Sequence, residues 1–302
     1  RGKRKEERKE MKKKRLIVLL YFIGFVGFAQ TKGIVKDSLS GGAIPYVSVW
    51  LENENIGTTS EENGEFSINV NDKNKNLIFS ALGFKKKTVK AGEANVVNLA
   101  PIALDLPEVM ISNRKDKKQV EIGRRRGVAE AFDNGPRMDA KFFPFLTDYK
   151  KTRWIKSVAI FTDSRIDEAT IKVHLYEVDE NGFPGDEMLT KDLIVPIKRG
   201  ISKTQVDLTD FNLEMPKNGI FVVVEKLLIE KNKLKKTIKD QNTNTTKIQV
   251  TYSPLVLYNS VEKEFLFSFS GGRWHKLTPK ELNPISGTNN IYEPSVTLTL
   301  SN

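Results

Sequence analysis

Residues 174–177, HLYE, set a histidine and a glutamate three positions apart, the spacing by which zinc peptidases hold two metal ligands. The only other histidine is His275, far downstream. Zinc held by such groups would activate a water for amide hydrolysis. The surrounding segment, ATIKVHLYEV, argues against that chemistry. Ile171, Val173 and Leu175 alternate with Lys172, His174 and Tyr176, which is the period of a β-strand. On a strand, side chains three apart leave opposite faces and stand ~10 Å apart at ~3.3 Å per residue. Zinc needs nitrogen and oxygen ligands at ~2.0–2.2 Å, so His174 and Glu177 cannot both reach one ion. His174 is therefore expected as a surface-strand histidine beside Tyr176. No metal and no cofactor are expected.

Other chemistries find less support. No G-x-S-x-G occurs to carry a serine nucleophile. With no cysteine, thiol nucleophiles, disulfides and zinc-cysteine clusters are all excluded. SGGA and SGGR read as hairpin turns rather than phosphate-cradling loops. DENGFPGDE, residues 179–187, has the acidity of a calcium loop, but its glycine stands fourth where an EF-hand loop needs it sixth. It reads as a hairpin turn. Carboxylate pairs for glycoside hydrolysis depend on a spatial separation that sequence does not display. An exported metallocarboxypeptidase-type or glycoside hydrolase enzyme thus stands as the alternative to a non-catalytic protein. Among aromatics, Trp274 in GGRWHKL lies beside a glycine turn and between Arg273 and His275. An exposed ring there could stack on the apolar face of a sugar, so Trp274, Arg273 and His275 are the candidate ligand-binding residues. The competing reading is an aromatic packed at a sandwich edge.

The elements that must position these groups follow from length and charge. At 302 residues the chain is expected to hold two domains. Its net charge of +11 is uneven: residues 1–15 carry ten Lys/Arg against three Glu, leaving only +4 for the remainder. That remainder implies no polyanion, so nucleic acid is not an expected partner. Residues 1–29 read as upstream residues followed by a secretory signal peptide. After Met11 comes KKKR, then the charge-free run Leu16–Ala29, which is too short for the ~20 residues that span a bilayer as a helix. The expected mature start is near Gln30, without a lipidated cysteine. Export without disulfides suits a Gram-negative periplasm or surface, with peripheral outer-membrane association.

Residues 30–112 form a first β pattern: GIVKD, IPYVSVWLE, GEFSINV, NLIFSAL, KKKTVKA, NVVNLAPIAL and LPEVMIS, punctuated by turns such as Asn63-Gly64. In IPYVSVWLE, Val47, Val49 and Leu51 share one face, with Tyr46, Ser48 and Trp50 on the other. Phe66, Ile68 and Val70 are expected to point inward, after a tight turn at Gly64. These residues resemble the carboxypeptidase-like regulatory domain, a transthyretin-like sandwich. Its pattern is kept at Gly33, Val35, Pro45, Val49, Gly57, Thr58, Gly64, Phe66, Gly83 and Phe84, with Ser60 and Glu61 in its T-[DE] slots. The resemblance implies a domain without catalytic groups.

Residues 113–140, with two basic clusters and little apolar content, read as a linker holding one strand at QVEI. Residues 141–302 give a second β pattern in which GIFVVVE and EFLFSFS are apolar on both faces, as inner strands would be. Residues 230–247 interrupt it as a charged, Asn/Thr-rich excursion. The order RWIKSVAIF, HLYEVDENGFPG, KTQVDL and MPKNGIFVVVE resembles a galactose-binding-like jelly-roll module. The expected fold class is all-β: an N-terminal transthyretin-like and a C-terminal jelly-roll-like sandwich joined by a basic linker. The expected function is non-catalytic binding or scaffolding at the cell envelope, with a glycan or another envelope protein as partner.

Overall fold

The computed structural model of the protein describes residues 30–102, 118–123, 129–239, 245–282 and 290–302. The signal-peptide segment and the strand expected at LPEVMIS lie outside the described residues. The described chain is almost wholly β, in two sandwiches, as the alternating runs require.

The first sandwich holds β1 (Gln30–Asp37), β2 (Ser48–Leu51), β3 (Gly57–Thr59), β4 (Glu65–Asn69), β5 (Asn76–Ser80), β6 (Lys87–Lys90) and β7 (Val96–Leu99). One sheet runs β4-β1-β7 and the other β3-β2-β5-β6. Val47, Val49 and Leu51 meet Phe66, Ile68 and Val70 between them, all buried. The turn into β4 has Gly64 at φ +79°, and the Asn63 side chain accepts the Glu65 N–H at 3.0 Å. Ser60 is fully buried: its hydroxyl accepts the Val47 N–H at 2.8 Å and donates to the Ile44 carbonyl at 3.2 Å. That slot needs a hydroxyl, which serine supplies as well as threonine.

The second sandwich begins with β8 (Gln119–Ile122), β9 (Glu130–Ala131), β10 (Met138–Phe143), β11 (Trp154–Ser164), β12 (Ala169–Val178), β13 (Pro184–Glu187), β14 (Leu193–Ile197) and β15 (Gly200–Asp207). It continues through β16 (Ile220–Lys226), β17 (Lys233–Lys239), β18 (Thr246–Tyr252), β19 (Leu255–Glu262), β20 (Leu266–Ser270) and β21 (Arg273–Leu277). The short helix α1 (Pro279–Leu282), β22 (Asn290–Pro294) and β23 (Val296–Ser301) complete it. One sheet runs β13-β12-β16-β10-β20-β21, with β14 also on β12. The facing sheet runs β22-β19-β11-β23-β8, with β15 on β11 and β9 on β19. Ile171, Val173 and Leu175 of β12 and Ile220, Val222 and Val224 of β16 pack against Ile155, Val158, Ile160, Leu298 and Leu300.

Two segments differ from their expected form. Within residues 113–140, the QVEI strand pairs with β23, and β9 and the start of β10 join the second sandwich as well. Of residues 230–247, Lys233–Lys239 and Thr246–Lys247 belong to an antiparallel ribbon of β17 and β18, in which Leu234, Ile238, Ile248 and Val250 are spaced among Lys, Thr and Gln.

The sandwiches meet through the Ser48 and Trp50 face of β2 and the outer face of the β12-β16-β10-β20-β21 sheet. The outer face of β12, β16, β10, β20 and β21 carries Lys172, His174, Tyr176, Phe221, Val223, Glu225, Phe267, Phe269 and Trp274. Trp50 of β2 packs edge-on against Phe269 with ring centroids 5.6 Å apart, and Met138, Ala140, Phe221, Val223 and Phe267 share its cluster. Ser48 and Trp50, the polar and aromatic side of β2, are thereby buried. The same contact explains why GIFVVVE is apolar on both faces: one lines the core and the other lies under Trp50 and its neighbours.

Candidate functional site

The histidine singled out by sequence lies at the seam between the sandwiches. Alternation along β12 sends Lys172, His174 and Tyr176 to the outer face of their sheet, while β16 presents Glu225 and β13 presents Glu187 beside them. His174 Nδ1 is 2.7 Å from Glu187 Oε2, and Nε2 is 3.0 Å from Glu225 Oε2. Tyr176 stacks on the imidazole at 5.5 Å with 12° between planes. Glu225 Oε1 accepts the Ser48 hydroxyl of the first sandwich at 2.5 Å. Lys172 Nζ donates to the Tyr46 carbonyl at 2.7 Å and lies 3.4 Å from Asp192. Charged side chains of one sandwich thus end on polar groups of the other.

The expectation of a surface histidine is corrected: only 12 % of the His174 side chain is exposed. The groups around it come from β13, the next strand, and from β16, 51 positions on, whose Glu225 is in turn held by Ser48 of the distant β2. Burial alone would push the imidazole down, but the charge and hydrogen bond of Glu187, joined by those of Glu225, raise its pKa to about 9. Burial would likewise push Glu225 up. The His174 hydrogen bond, the Lys172 charge and the Ser48 hydroxyl instead hold it down at about 2. The result is an imidazolium donating both N–H groups to two carboxylates.

Such a cation is neither a zinc ligand nor a general base. The carboxylates stand on opposite sides of the ring, so no point lies within ligand distance of all three groups. Glu177 is exposed and takes no part, as the strand period requires. Among the described residues no cluster of three or more His, Asp or Glu side chains could hold a metal. The acidic 179–187 segment is a turn: Asp179 Oδ1 accepts the N–H groups of Asn181 and Phe183 at 2.8 and 2.7 Å.

Trp274, Arg273 and His275 lie on β21, after the Gly271-Gly272 turn. The half-buried Trp274 ring meets Tyr176 and Phe269 edge-on at 5.9 and 5.2 Å. His275 faces the other way, with Nε2 3.2 Å from the Ser270 carbonyl, and Arg273 is exposed. The three therefore do not converge on one point. The turn itself docks on the first sandwich, where the Gly271 carbonyl accepts the Asn53 N–H at 3.1 Å and the Gly272 carbonyl accepts Lys86 Nζ at 3.4 Å.

Sequence reasoning did not anticipate a cleft of about 800 Å³ between the sandwiches. One wall is β1 and β4; the other is the 228–233 segment and β18. At its floor the two units are tied by the Leu228 N–H on Thr59 Oγ1 at 3.1 Å and the Glu230 N–H on Glu61 Oε1 at 2.9 Å. Gln30, Thr58, Asn69, Asn95 and Tyr252 line the space together with the charged Lys32, Glu61, Glu65, Glu230 and Lys233. These positions span 30 to 252 in the chain, and nothing local marks them as neighbours.

No curated protein matches the chain. Among solved structures, the cysteine protease and lectin-like domains of Cwp84, a surface-layer-associated protein of Clostridium difficile, align over 82% of this chain at 13% identity and a TM-score of 0.33. This chain spans 45% of that one. A structure of manganese lipoxygenase of Gaeumannomyces graminis with part of zonadhesin of Komagataella pastoris aligns over 91% of this chain and 86% of that one, at 10% identity and a TM-score of 0.19. Both scores are too low to carry a likeness of fold. Residues 31–111, which supply the core and strands of the first sandwich, match the family described as the CarboxypepD_reg-like domain, and this part of the chain is a carboxypeptidase-regulatory-like domain.

Proposed function

We propose that the protein is a non-catalytic binding or scaffolding component of a Gram-negative cell envelope, in the periplasm or at the outer-membrane surface, and that it takes a glycan between its two sandwiches. The observation that carries this reading is the interdomain cleft. Its volume falls within the ~300–1,000 Å³ range of small-ligand sites, and polar residues of both sandwiches line it. Sugar hydroxyls donate and accept at once, which suits Asn69, Asn95 and Thr58, and the half-buried Tyr252 offers a ring for stacking. Trp274 stands outside this cleft with its ring against Tyr176 and Phe269. The signal-like N-terminal segment supports the location.

Glycan-array binding of the full chain tests the reading. Tyr252→Ala and Asn95→Ala are expected to abolish a signal that Trp274→Ala leaves in place, with oligosaccharide recovered uncleaved. Absence of any glycan signal would refute the glycan ligand and leave an envelope protein as the partner. A signal lost only in Trp274→Ala would move the site to β21, and recovery of shortened oligosaccharide would favour a glycoside hydrolase.

A further inference from the structure

The outer face that seats the first sandwich continues past it. At its far end Ala140 and Phe142 of β10, Phe221 of β16 and Phe267 of β20 are brought together by register, Phe142 opposite Phe221 and Ala140 opposite Phe267. With Phe265 they line an open hollow of about 470 Å³, none of whose residues belongs to the cleft. Phe142 and Phe221 pack with centroids 5.0 Å apart, and Phe267 meets Phe221 and Phe265 edge-on at 4.9 and 5.2 Å. This is a wall of aromatic rings joined without a break to the cluster under Trp50.

One cation is poised at the mouth. Lys276, exposed on β21, holds its ammonium 4.8 Å from the Phe183 ring, 4.9 Å from Phe265 and 5.4 Å from Phe267. The other charges are placed differently. Lys263 is paired with the buried carboxylate of Glu293, and Glu264 is exposed at the rim. The ring contacts fix Lys276 over the hollow by cation–π attraction without neutralising it.

We infer that this hollow is a second ligand site, independent of the cleft, that binds a small amphipathic monocarboxylate. The apolar body lies against the half-buried Phe142 and Phe265, backed by the buried Phe221 and Phe267, and the carboxylate meets Lys276. Charge complementarity selects this occupant. A carboxylate makes a charge-assisted hydrogen bond with Lys276 while the ammonium stays over its rings. An uncharged chain leaves that charge unanswered, and a quaternary ammonium must displace it.

The probes are decanoate, decanol and decyltrimethylammonium, titrated calorimetrically into the full chain below their micelle thresholds. Decanoate is expected to bind saturably and more tightly than the other two. Lys276→Gln should weaken decanoate about tenfold, the value of one charge-assisted bond, while leaving decanol unchanged. Glu264→Gln should tighten decanoate by removing a repelling charge. Phe265→Ser, at a half-buried position, should weaken decanoate and decanol alike, with an unchanged near-ultraviolet dichroism spectrum showing that the fold persists. Several results would overturn the assignment: no saturable decanoate binding, equal affinity in Lys276→Gln, or tighter binding of the quaternary ammonium. So would a dimer in light scattering that Phe265→Ser dissociates, since the occupant would then be a second copy of the chain.

Discussion

His174 carries its charge between two carboxylates, and the pH dependence of stability follows from that arrangement. Its folded pKa of about 9 lies above the unfolded value of 6.5. The stabilisation is therefore complete below about pH 6.5 and is lost as pH rises through about 9. Glu225 works in the opposite sense: held at about 2 against 4.5, it contributes above pH 4.5 and is lost as pH falls through about 2. Urea unfolding of the wild type should show stability falling between pH 6.5 and 9, by on the order of 3 kcal/mol. His174→Gln should flatten that slope; an equal slope in the variant would refute the assignment. Glu225→Ala leaves Lys172 and His174 without their shared anion and should cost about 3 kcal/mol at neutral pH by the same assay. At this scale the sequence disclosed the strand period, and with it the separation of His174 from Glu177. It did not disclose burial, because Glu225 is 51 positions away and Ser48 lies 177 positions from Glu225.

The β20–β21 hairpin shows an element serving two purposes. Its glycines were legible as a turn, and both have positive φ, +59° at Gly271 and +85° at Gly272. Their second role was not legible: a Cβ on Gly271 would lie 2.8 Å from Asn53 Cα and Glu54 N, backbone atoms of the first sandwich. Gly271→Ala is therefore expected to cost about 1–3 kcal/mol, measured by chemical unfolding, and to change the near-ultraviolet signal of Trp50 and Trp274. No change in either would show that the turn does not touch its partner. The β17–β18 ribbon is the opposite case. It has two strands, its own sheet, and exposed Ile238, Ile248 and Val250, so little apolar burial holds it. Its amides should exchange with solvent faster than those of β16 in native-state hydrogen exchange; equal protection would mean that the ribbon is covered. Residues 230–247 concealed these strands because lysine and threonine dominate the composition while only Leu234 and Ile238 carry the period.

In the whole molecule, alternation placed the core of each sandwich: Val47, Val49 and Leu51 in one, Ile171, Val173 and Leu175 in the other. What alternation could not place was the relation between them. The second apolar face of β16 had the pattern of a covered surface but does not name its cover, since any apolar partner satisfies the same period, and the Tyr46, Ser48 and Trp50 side of β2 gave no sign of being covered. The structure pairs them, with Trp50 over Phe269 and Ser48 on Glu225, and this seam shapes the cleft on one side and leaves the aromatic hollow open at the far end of the face. A double-mutant cycle of Ser48→Ala and Glu225→Gln in the full chain tests that seam most directly. The two residues belong to different sandwiches and meet only if these dock as described. A coupling energy of about 1–2 kcal/mol in unfolding free energy is predicted, and strictly additive effects would contradict the account.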